Sequence, residues 1–465
     1  GNKIGIYHSR FSKEERVEIW NKVNETDKEK RYQIIIGSRA SLFLPFSELG
    51  LIIVDEEHDA GYKQREPAPR YNARDAAIYL ATLHKSKVLL GSATPSLETY
   101  FNTQIGKYGY VSLNERYLNT PMPKIQIANM KEEYINKTNY SIFSSLLFDN
   151  INQALNNHKQ VILFKNQRGY ASNIRCEVCG WVAKCPNCDV SLTYHKHLQT
   201  LNCHYCGLNL PLYNECPECH SHSLIQSGNG SEKIEEETLR FFPNARVKRM
   251  DLDTTRKKND YLEIIQDFEK GNIDILCGTQ IITKGLDFSN VGLVGVIDAD
   301  SLLYYPDFRA YERCFDLLTQ VAGRAGRLKE KGAVVIQSFN PNHQIFKEVL
   351  NYDYASMYKN QIVERKLFSY PPFVYLTKIL FQSKDKDVLD SLCQEYSNEI
   401  RKIFGQRILG PEYPPIYRIK GMYQKQFILK LEKNVSYTQA KKLIMQLNEE
   451  ILSKREYKQT RVIVD

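Results

Sequence analysis

Apolar and polar positions in the first hundred residues fall into short alternating blocks. Ile4-Gly-Ile-Tyr7, Gln33–Ile36, Leu49–Val54 and Val88–Leu90 are apolar or β-branched runs separated by helix-like stretches. Ser12-Lys-Glu-Glu15 reads as a capping box and predicts a helix carrying Val17 and Trp20. Short apolar runs alternating with helices mark parallel strands buried on both faces. A polar stretch with Pro121 and Pro123 follows, then a second series: Val161–Phe164, Arg246–Met250, Ile273–Cys277, Val291–Ile297 and Ala333–Gln337. From about residue 360 the pattern changes again, with Tyr370-Pro-Pro372, Pro411-Glu-Tyr-Pro-Pro415 and a strand-like run Phe427–Leu431. The predicted organisation is an α/β unit over 1–115, a linker over 116–150, a second α/β unit over 151–350 interrupted by an insertion at 172–226, and a small α/β C-terminal domain over 360–465.

Composition changes this picture little. The 465 residues are 42% hydrophobic and 25% charged, an ordinary globular balance. The net charge of +9 fits a polyanionic partner, although general solubility would account for it as well. No apolar stretch approaches 18 residues and no signal peptide is evident, so a cytoplasmic protein without a membrane partner is expected. The chain opens with Gly1 almost directly into an apolar run, as expected of a fragment that begins inside a domain.

Cysteine spacing is more informative. Eight of eleven cysteines form four Cys-x-x-Cys pairs: Cys176/Cys179, Cys185/Cys188, Cys203/Cys206 and Cys216/Cys219. A two-residue gap lets both thiolates face one ion, and two such knuckles complete a tetrahedral site. Eight thiolates predict two structural Zn²⁺ ions with no open position for catalysis. The 14 residues between Cys188 and Cys203 suit a hairpin closing on one zinc. That leaves the outer pairs for the other ion, with a cross-braced arrangement the alternative. His195, His197, His204, His220 and His222 are not needed as ligands, and Cys277, Cys314 and Cys393 read as core residues.

Four boxes carry motor chemistry. Leu51-Ile-Ile-Val-Asp-Glu-Glu-His58 resembles a DEAH-like acid box. In it Asp55 would hold Mg²⁺ through water, Glu56 would orient the attacking water, and His58 would report the nucleotide state. An acidic cap on any buried strand would look similar. Gly91-Ser-Ala-Thr-Pro95 resembles the Ser-Ala-Thr box of superfamily 2 helicases, with Ser92 and Thr94 as candidate coupling hydroxyls. Gly278-Thr-Gln-Ile-Ile-Thr-Lys-Gly-Leu-Asp287 resembles the box that touches nucleic acid through Thr279 and Lys284 and nucleotide through Gly285 and Asp287. Gln320-Val-Ala-Gly-Arg-Ala-Gly-Arg327 resembles the arginine-finger box, where Gln320 couples and Arg324 and Arg327 neutralise γ-phosphate charge across the cleft. The pattern G-x-x-x-x-G-K-[ST] occurs nowhere in the chain. The 465 residues are therefore expected to bind ATP poorly, with the phosphate loop upstream of Gly1 in the intact protein.

Nucleic-acid contacts are expected at Arg39, which follows a strand, at Arg168 and Tyr170 in Gln167-Arg-Gly-Tyr-Ala171, and at Tyr62 and Lys63. The last two lie in Tyr62-Lys-Gln-Arg-Glu-Pro-Ala-Pro-Arg-Tyr71, where aromatics and cations interleave and can stack on bases while neutralising backbone. A Pro-rich surface loop with locally packed tyrosines is the plainer reading.

Together these residues resemble the bacterial replication-restart DNA helicases of the PriA (primosomal protein N′) family. The resemblance rests on Val54–His58 with Tyr62-Lys-Gln64, the eight-cysteine insertion after Arg168-Gly-Tyr170, Gly278-Thr-Gln280 with Lys284-Gly285, Gln320–Arg327, and Gly228–Glu235. Glu364-Arg365, Tyr370-Pro-Pro372 and Gly410-Pro411 extend it into the tail. It implies two RecA-like helicase lobes with a two-zinc, Cys-rich insertion in the second, nested zinc pairing, and a C-terminal DNA-binding domain. It also implies an ATP-driven 3′-to-5′ DNA helicase acting on forks, D-loops and single-stranded/duplex junctions. The implied partners are single-strand-binding protein, other primosome proteins and the replicative helicase. One departure is Lys165-Asn-Gln-Arg168, where the family usually reads Leu-Asn-Arg-Arg. Two other readings compete: a catalytically inert, zinc-stabilised scaffold for DNA and partners, and an RNA helicase of the same superfamily. The cysteine block argues against the second.

Overall fold

The computed structural model describes residues 3–8, 11–113, 115, 122–166, 173–176, 178–187, 190–195, 199–203, 206–226, 231–251, 258–279, 288, 290–325 and 332–465. The chain divides into two compact units, Gly1–Gly109 and Tyr110–Asp465.

The first unit holds two parallel strand pairs. β1 (Ile4–Tyr7) pairs with β2 (Ile34–Gly37), and β3 (Leu51–Val54) pairs with β4 (Lys87–Leu90). Ser12 caps the helix Lys13–Val23 through a reciprocal box: its hydroxyl accepts from the Glu15 amide at 3.1 Å, and the Glu15 carboxylate accepts from the Ser12 amide at 2.7 Å. Trp20 is exposed, and Ile19 and Val23 form the buried face instead.

The second unit is built on a six-stranded parallel sheet. Its strands are β5 (Lys124–Asn129), β6 (Gln160–Phe164), β12 (Val247–Met250), β13 (Ile275–Gly278), β14 (Val291–Val296) and β15 (Ala333–Ser338), in the order β12-β13-β6-β14-β15-β5. Successive side chains alternate between two cores. Ile162, Phe164, Leu276, Val294 and Ile336 face one, with Phe268, Phe315 and Phe346 from the covering helices. Val161, Leu163, Ile275, Leu293 and Val335 face the other, with Leu147 and Ile151 from the helix Ser145–Asn156. Two-sided burial is why these strands read as continuous apolar runs. A Cβ on Gly295 would lie 2.8 Å from a Leu147 methyl and 2.9 Å from a Leu163 methyl, so a larger residue there would displace both leucine side chains between helix and sheet.

Two expected boundaries are corrected. Residues 116–150 are not a linker throughout: β5 pairs with β15 from Lys124↔Ala333 to Asn129↔Ser338, and Leu147 is fully buried. An edge strand keeps one side open, so its sequence carries Lys124, Gln126 and Asn129 and resembles a polar connection. The tail does not start at 360, nor the second lobe end at 350. The helix Tyr354–Leu367 contributes Met357 to the sheet's core, and its Arg365 pairs with Glu312 at 2.5 Å, both side chains buried.

The insertion contains β7 (Ile174–Cys176), β8 (Thr193–His195), β9 (Thr200–Asn202), β10 (Asn209–Pro211) and β11 (Leu224–Gln226). β11 pairs antiparallel with β7, which closes the module on itself. The C-terminal domain packs the helices Lys386–Phe404 and Tyr437–Leu452 on an antiparallel sheet of β16 (Val374–Ser383), β17 (Ile408–Glu412), β18 (Arg418–Ile419), β19 (Met422–Glu432) and β20 (Arg461–Val464). No helix among the described residues is long and apolar enough to cross a membrane.

Candidate nucleotide, nucleic-acid and metal sites

The acid box sits at the tip of β3, beside the tip of β4. The Gly91 amide donates to the Val54 carbonyl at 2.9 Å, and the Glu57 amide donates to the Gly91 carbonyl at 3.0 Å. These bonds fix the Ser-Ala-Thr box against the acid box. Asp55 and Glu56 are exposed at the tip. Glu56 has φ of 49°, a left-handed conformation that a non-glycine residue adopts at a cost and that recurs at functional sites. His58 Nδ1 lies 2.7 Å from the Ser92 hydroxyl and 3.5 Å from a Glu56 carboxylate oxygen. The Ser92 hydroxyl also accepts from the Thr94 amide at 3.0 Å. The Thr94 hydroxyl is buried with no hydrogen-bond partner among the described residues.

Sequence reasoning missed the anchor of this site. Glu57 is buried and accepts from the Ser96 amide at 2.6 Å, the Thr99 hydroxyl at 2.9 Å and Arg74 Nη1 at 3.0 Å. Three consecutive acids thus divide their work: two face solvent and the third ties both boxes to the helix Ala73–His84. The Ser96 cap of the helix Leu97–Gln104 was a readable signal; its bond to Glu57 was not.

Tyr62 donates to the Asp55 carbonyl at 2.6 Å. Burial, followed by the charges of Asp55, Asp59 and Glu56, pushes its phenol up, so it remains a donor. Arg39 donates to the Lys63 carbonyl at 2.9 Å, and Lys63 to the Arg70 carbonyl at 2.8 Å. These two cations hold the Pro-rich loop in shape. Phe43 meets Tyr71 edge-on at 5.0 Å.

In the second unit Thr279 follows β13 and is buried. Gln320 lies on the helix Ala310–Ala322, and Arg324 in the turn after it. Arg168, Tyr170, Lys284, Gly285, Asp287 and Arg327 lie outside the described residues, as do His197, His204, Cys188 and Gly228–Gly230 of the Gly228–Glu235 box.

The cysteine knuckles repeat one local design. The amides of Cys176, Cys185, Cys203 and Cys216 donate to the carbonyls of Trp181, Val190, Leu208 and Ser221, each at 2.8 Å. Gly180 and Gly207 follow their pairs with φ of 77° and 82°, and His220 takes the same place with φ of 55°. The chain must reverse there for amides to point at sulfur, and glycine does so without strain. The sulfurs of Cys176, Cys179, Cys216 and Cys219 gather in one group, and those of Cys185, Cys203 and Cys206 in another. This is the nested grouping, not the cross-braced one. Contacts of 3.5 Å for Cys176–Cys219, 3.4 Å for Cys179–Cys216 and 3.6 Å for Cys185–Cys206 exceed a disulfide bond and approach the tetrahedral edge of about 3.8 Å that metal–sulfur bonds of about 2.3 Å require. Burial pushes the Cys179 thiol up, a cost that only a cation among the sulfurs offsets.

Comparison with known proteins agrees with this geometry. Residues 185–211 match the family model described as the PriA DNA helicase Cys-rich region domain. Residues 220–329 match the helicase conserved C-terminal domain, and 366–465 the primosomal protein N C-terminal domain. The replication restart protein PriA of Bacillus subtilis is 40% identical over 466 residues, covering 100% of this chain and 56% of that protein. The chain belongs to the PriA family. The PriA of Chlamydia pneumoniae is 38% identical over 438 residues, covering 92% of this chain and 57% of its own length. The chain thus spans little more than half of these PriA relatives. A structure of RecG bound to a three-way DNA junction overlaps 78% of this chain and 36% of RecG, at 12% identity and a TM-score of 0.42. The PriA assignment accounts for the helicase lobes, the Cys-rich insertion that supports zinc binding, and the C-terminal domain.

Proposed function

We propose that the intact protein is an ATP-dependent 3′-to-5′ DNA helicase of replication restart. In this reading it acts in the cytoplasm at stalled forks, D-loops and single-stranded/duplex junctions. It works with single-strand-binding protein, other primosome proteins and the replicative helicase. The observation that carries the reading is the His58–Ser92 hydrogen bond, which joins the acid box to the Ser-Ala-Thr box in a chain of the PriA family.

Asp55 holds Mg²⁺ of MgATP through water, Glu56 orients the attacking water, and His58 passes the change on phosphate loss to Ser92 and Thr94. Arg324 and Arg327 neutralise γ-phosphate charge, and Gln320, Gly285 and Asp287 couple it to Thr279 and Lys284 on the nucleic acid. Tyr62, Lys63, Arg39, Arg168 and Tyr170 contact the track. Cys176, Cys179, Cys216 and Cys219 hold one Zn²⁺, and Cys185, Cys188, Cys203 and Cys206 a second. Without a phosphate-loop sequence of their own, the 465 residues hydrolyse ATP very slowly.

The test is DNA-stimulated ATPase of the full-length protein with Glu56→Gln. Turnover is expected to fall by about a hundredfold or more while DNA binding persists. Full turnover in that variant would remove Glu56 from its role.

A further inference from the structure

In the first unit the acid box is braced by a residue that lies in none of the sequence motifs. Arg74 sits in the first turn of the helix Ala73–His84, where the Asn72 side chain accepts from its amide at 3.0 Å. Its Nη1 donates to the Glu57 carboxylate at 3.0 Å and to the Ser96 hydroxyl at 2.9 Å, and its Nε donates to Asp75 at 2.9 Å. We propose that Arg74 is a positioning residue for Glu56: it secures the buried Glu57, and Glu57 in turn keeps Glu56 in the backbone conformation that presents its carboxylate at the strand tip.

With φ of 49°, Glu56 holds a conformation that a glutamate leaves unless its neighbours prevent it. Both neighbours are fixed. Before it, the Val54 carbonyl accepts from the Gly91 amide at 2.9 Å, and the Asp55 carbonyl accepts from the Tyr62 hydroxyl at 2.6 Å. After it, the Glu57 amide donates to the Gly91 carbonyl at 3.0 Å. The Glu57 side chain, 2% exposed as a residue, accepts in addition from the Ser96 amide, the Thr99 hydroxyl and Arg74. Of these donors Arg74 alone carries a positive charge, and a carboxylate taken out of water needs one. Burial works against the Arg74 charge; Asp75 and then Glu57 outweigh it, so the guanidinium is held above its ordinary range. Without Arg74 the Glu57 carboxylate is drawn towards water, the turn loosens, and Glu56 is free to leave its left-handed conformation.

The shape of the guanidinium matters as well as its charge. Its rigid fork reaches Glu57 on one side and Asp75 on the other, which a single ammonium does not. The bond to Ser96, the cap of the helix Leu97–Gln104, also ties the acid box to the segment that follows the Ser-Ala-Thr box. The Glu56 carboxylate lies 3.5 Å from His58 Nδ1, so a shift of Glu56 disturbs that approach too. A group that orients an attacking water loses about a hundredfold in rate when it is misplaced by about 1 Å.

This role rests on the proposed part of Glu56 in ATP hydrolysis, and a double-mutant cycle separates the two. DNA-stimulated ATPase of the full-length protein would be measured at saturating oligothymidylate for Arg74→Gln, Glu56→Gln and the pair. Arg74→Gln is expected to lower kcat about thirtyfold with the KM for ATP unchanged. Added to Glu56→Gln it should lower kcat no further, because the group it positions is already gone. Arg74→Lys keeps the buried charge without the fork and should lose about threefold. If Arg74→Gln fails to fold, Arg74→Lys takes its place in the cycle, and its loss should again vanish beside Glu56→Gln. Losses that multiply, to about three-thousandfold for the glutamine pair, overturn the positioning role and leave the Glu56 assignment standing. A raised KM with kcat unchanged also overturns it, by giving Arg74 to nucleotide binding. Full turnover in Glu56→Gln alone removes the Glu56 assignment itself, and the positioning role with it.

Discussion

The two α/β units use the same strand chemistry under different conditions. In the second unit every residue of β6 and β13 is buried, with helices on both faces. In the first, alternate positions of the strands face outward: Ile6 is 58% exposed, Ile36 59% and Ile53 63%. A parallel sheet is stable only when both faces are covered. Residues 1–109 do not supply that cover among the described residues. The acid and Ser-Ala-Thr boxes are therefore held by their own hydrogen bonds through Glu57, His58 and Ser92. The second unit holds its elements by packing, with charge pairs and a cysteine module added.

The largest effect that would sharpen this contrast is metal removal. Chelation should unfold the module over 174–226, whose small core depends on its cages, at about 10 kcal/mol per ion lost. Limited proteolysis should then cut within it while β6 and β13 stay protected. Equal resistance with and without chelator would break the claim.

Next is the buried pair. Arg365→Ala removes the guanidinium that pairs with the buried Glu312 carboxylate on the helix that leads to Gln320 and Arg324, at a cost of about 3–5 kcal/mol. Urea unfolding of the 465-residue chain would read this, and a loss under about 1 kcal/mol would mean that water reaches the pair.

The direct comparison is Leu163→Ala against Ile53→Ala. The first empties a fully buried site and should cost about 2–5 kcal/mol; the second trims an exposed chain and should cost about 0.5 kcal/mol or less. Hydrogen exchange of β6 and β3 resolves the two. Equal costs would show that the β3 face is covered in solution.

The smallest effect concerns charge buried by that cover. Burial, and then Asp298, raise the Asp300 carboxyl from 3.8 to about 6. The folded state then holds this proton more tightly than the unfolded chain, so stability falls as pH rises from about 4 to about 6 and is level beyond. Asp300→Asn should gain melting temperature on the unaltered protein between about pH 4.5 and about pH 7.5. A constant gap would remove Asp300 as the cause.

Strands with two covered faces were legible because their runs are apolar throughout; β5, open on one side, was hidden by Lys124 and Gln126. Among three adjacent acids the sequence suggested Asp55 and Glu56 and passed over Glu57, because burial of the third depends on Ser96 and Thr99, some forty positions on.

The chain alone settled chemistry that neighbours a few positions apart can specify: a capped helix, paired thiols with their turns, and acids closing an apolar run. Tertiary structure decided which knuckles gather their sulfurs and which of the three acids is buried. Those groupings come from sheet order and helix packing, which bring distant positions together without leaving a periodic trace in the sequence.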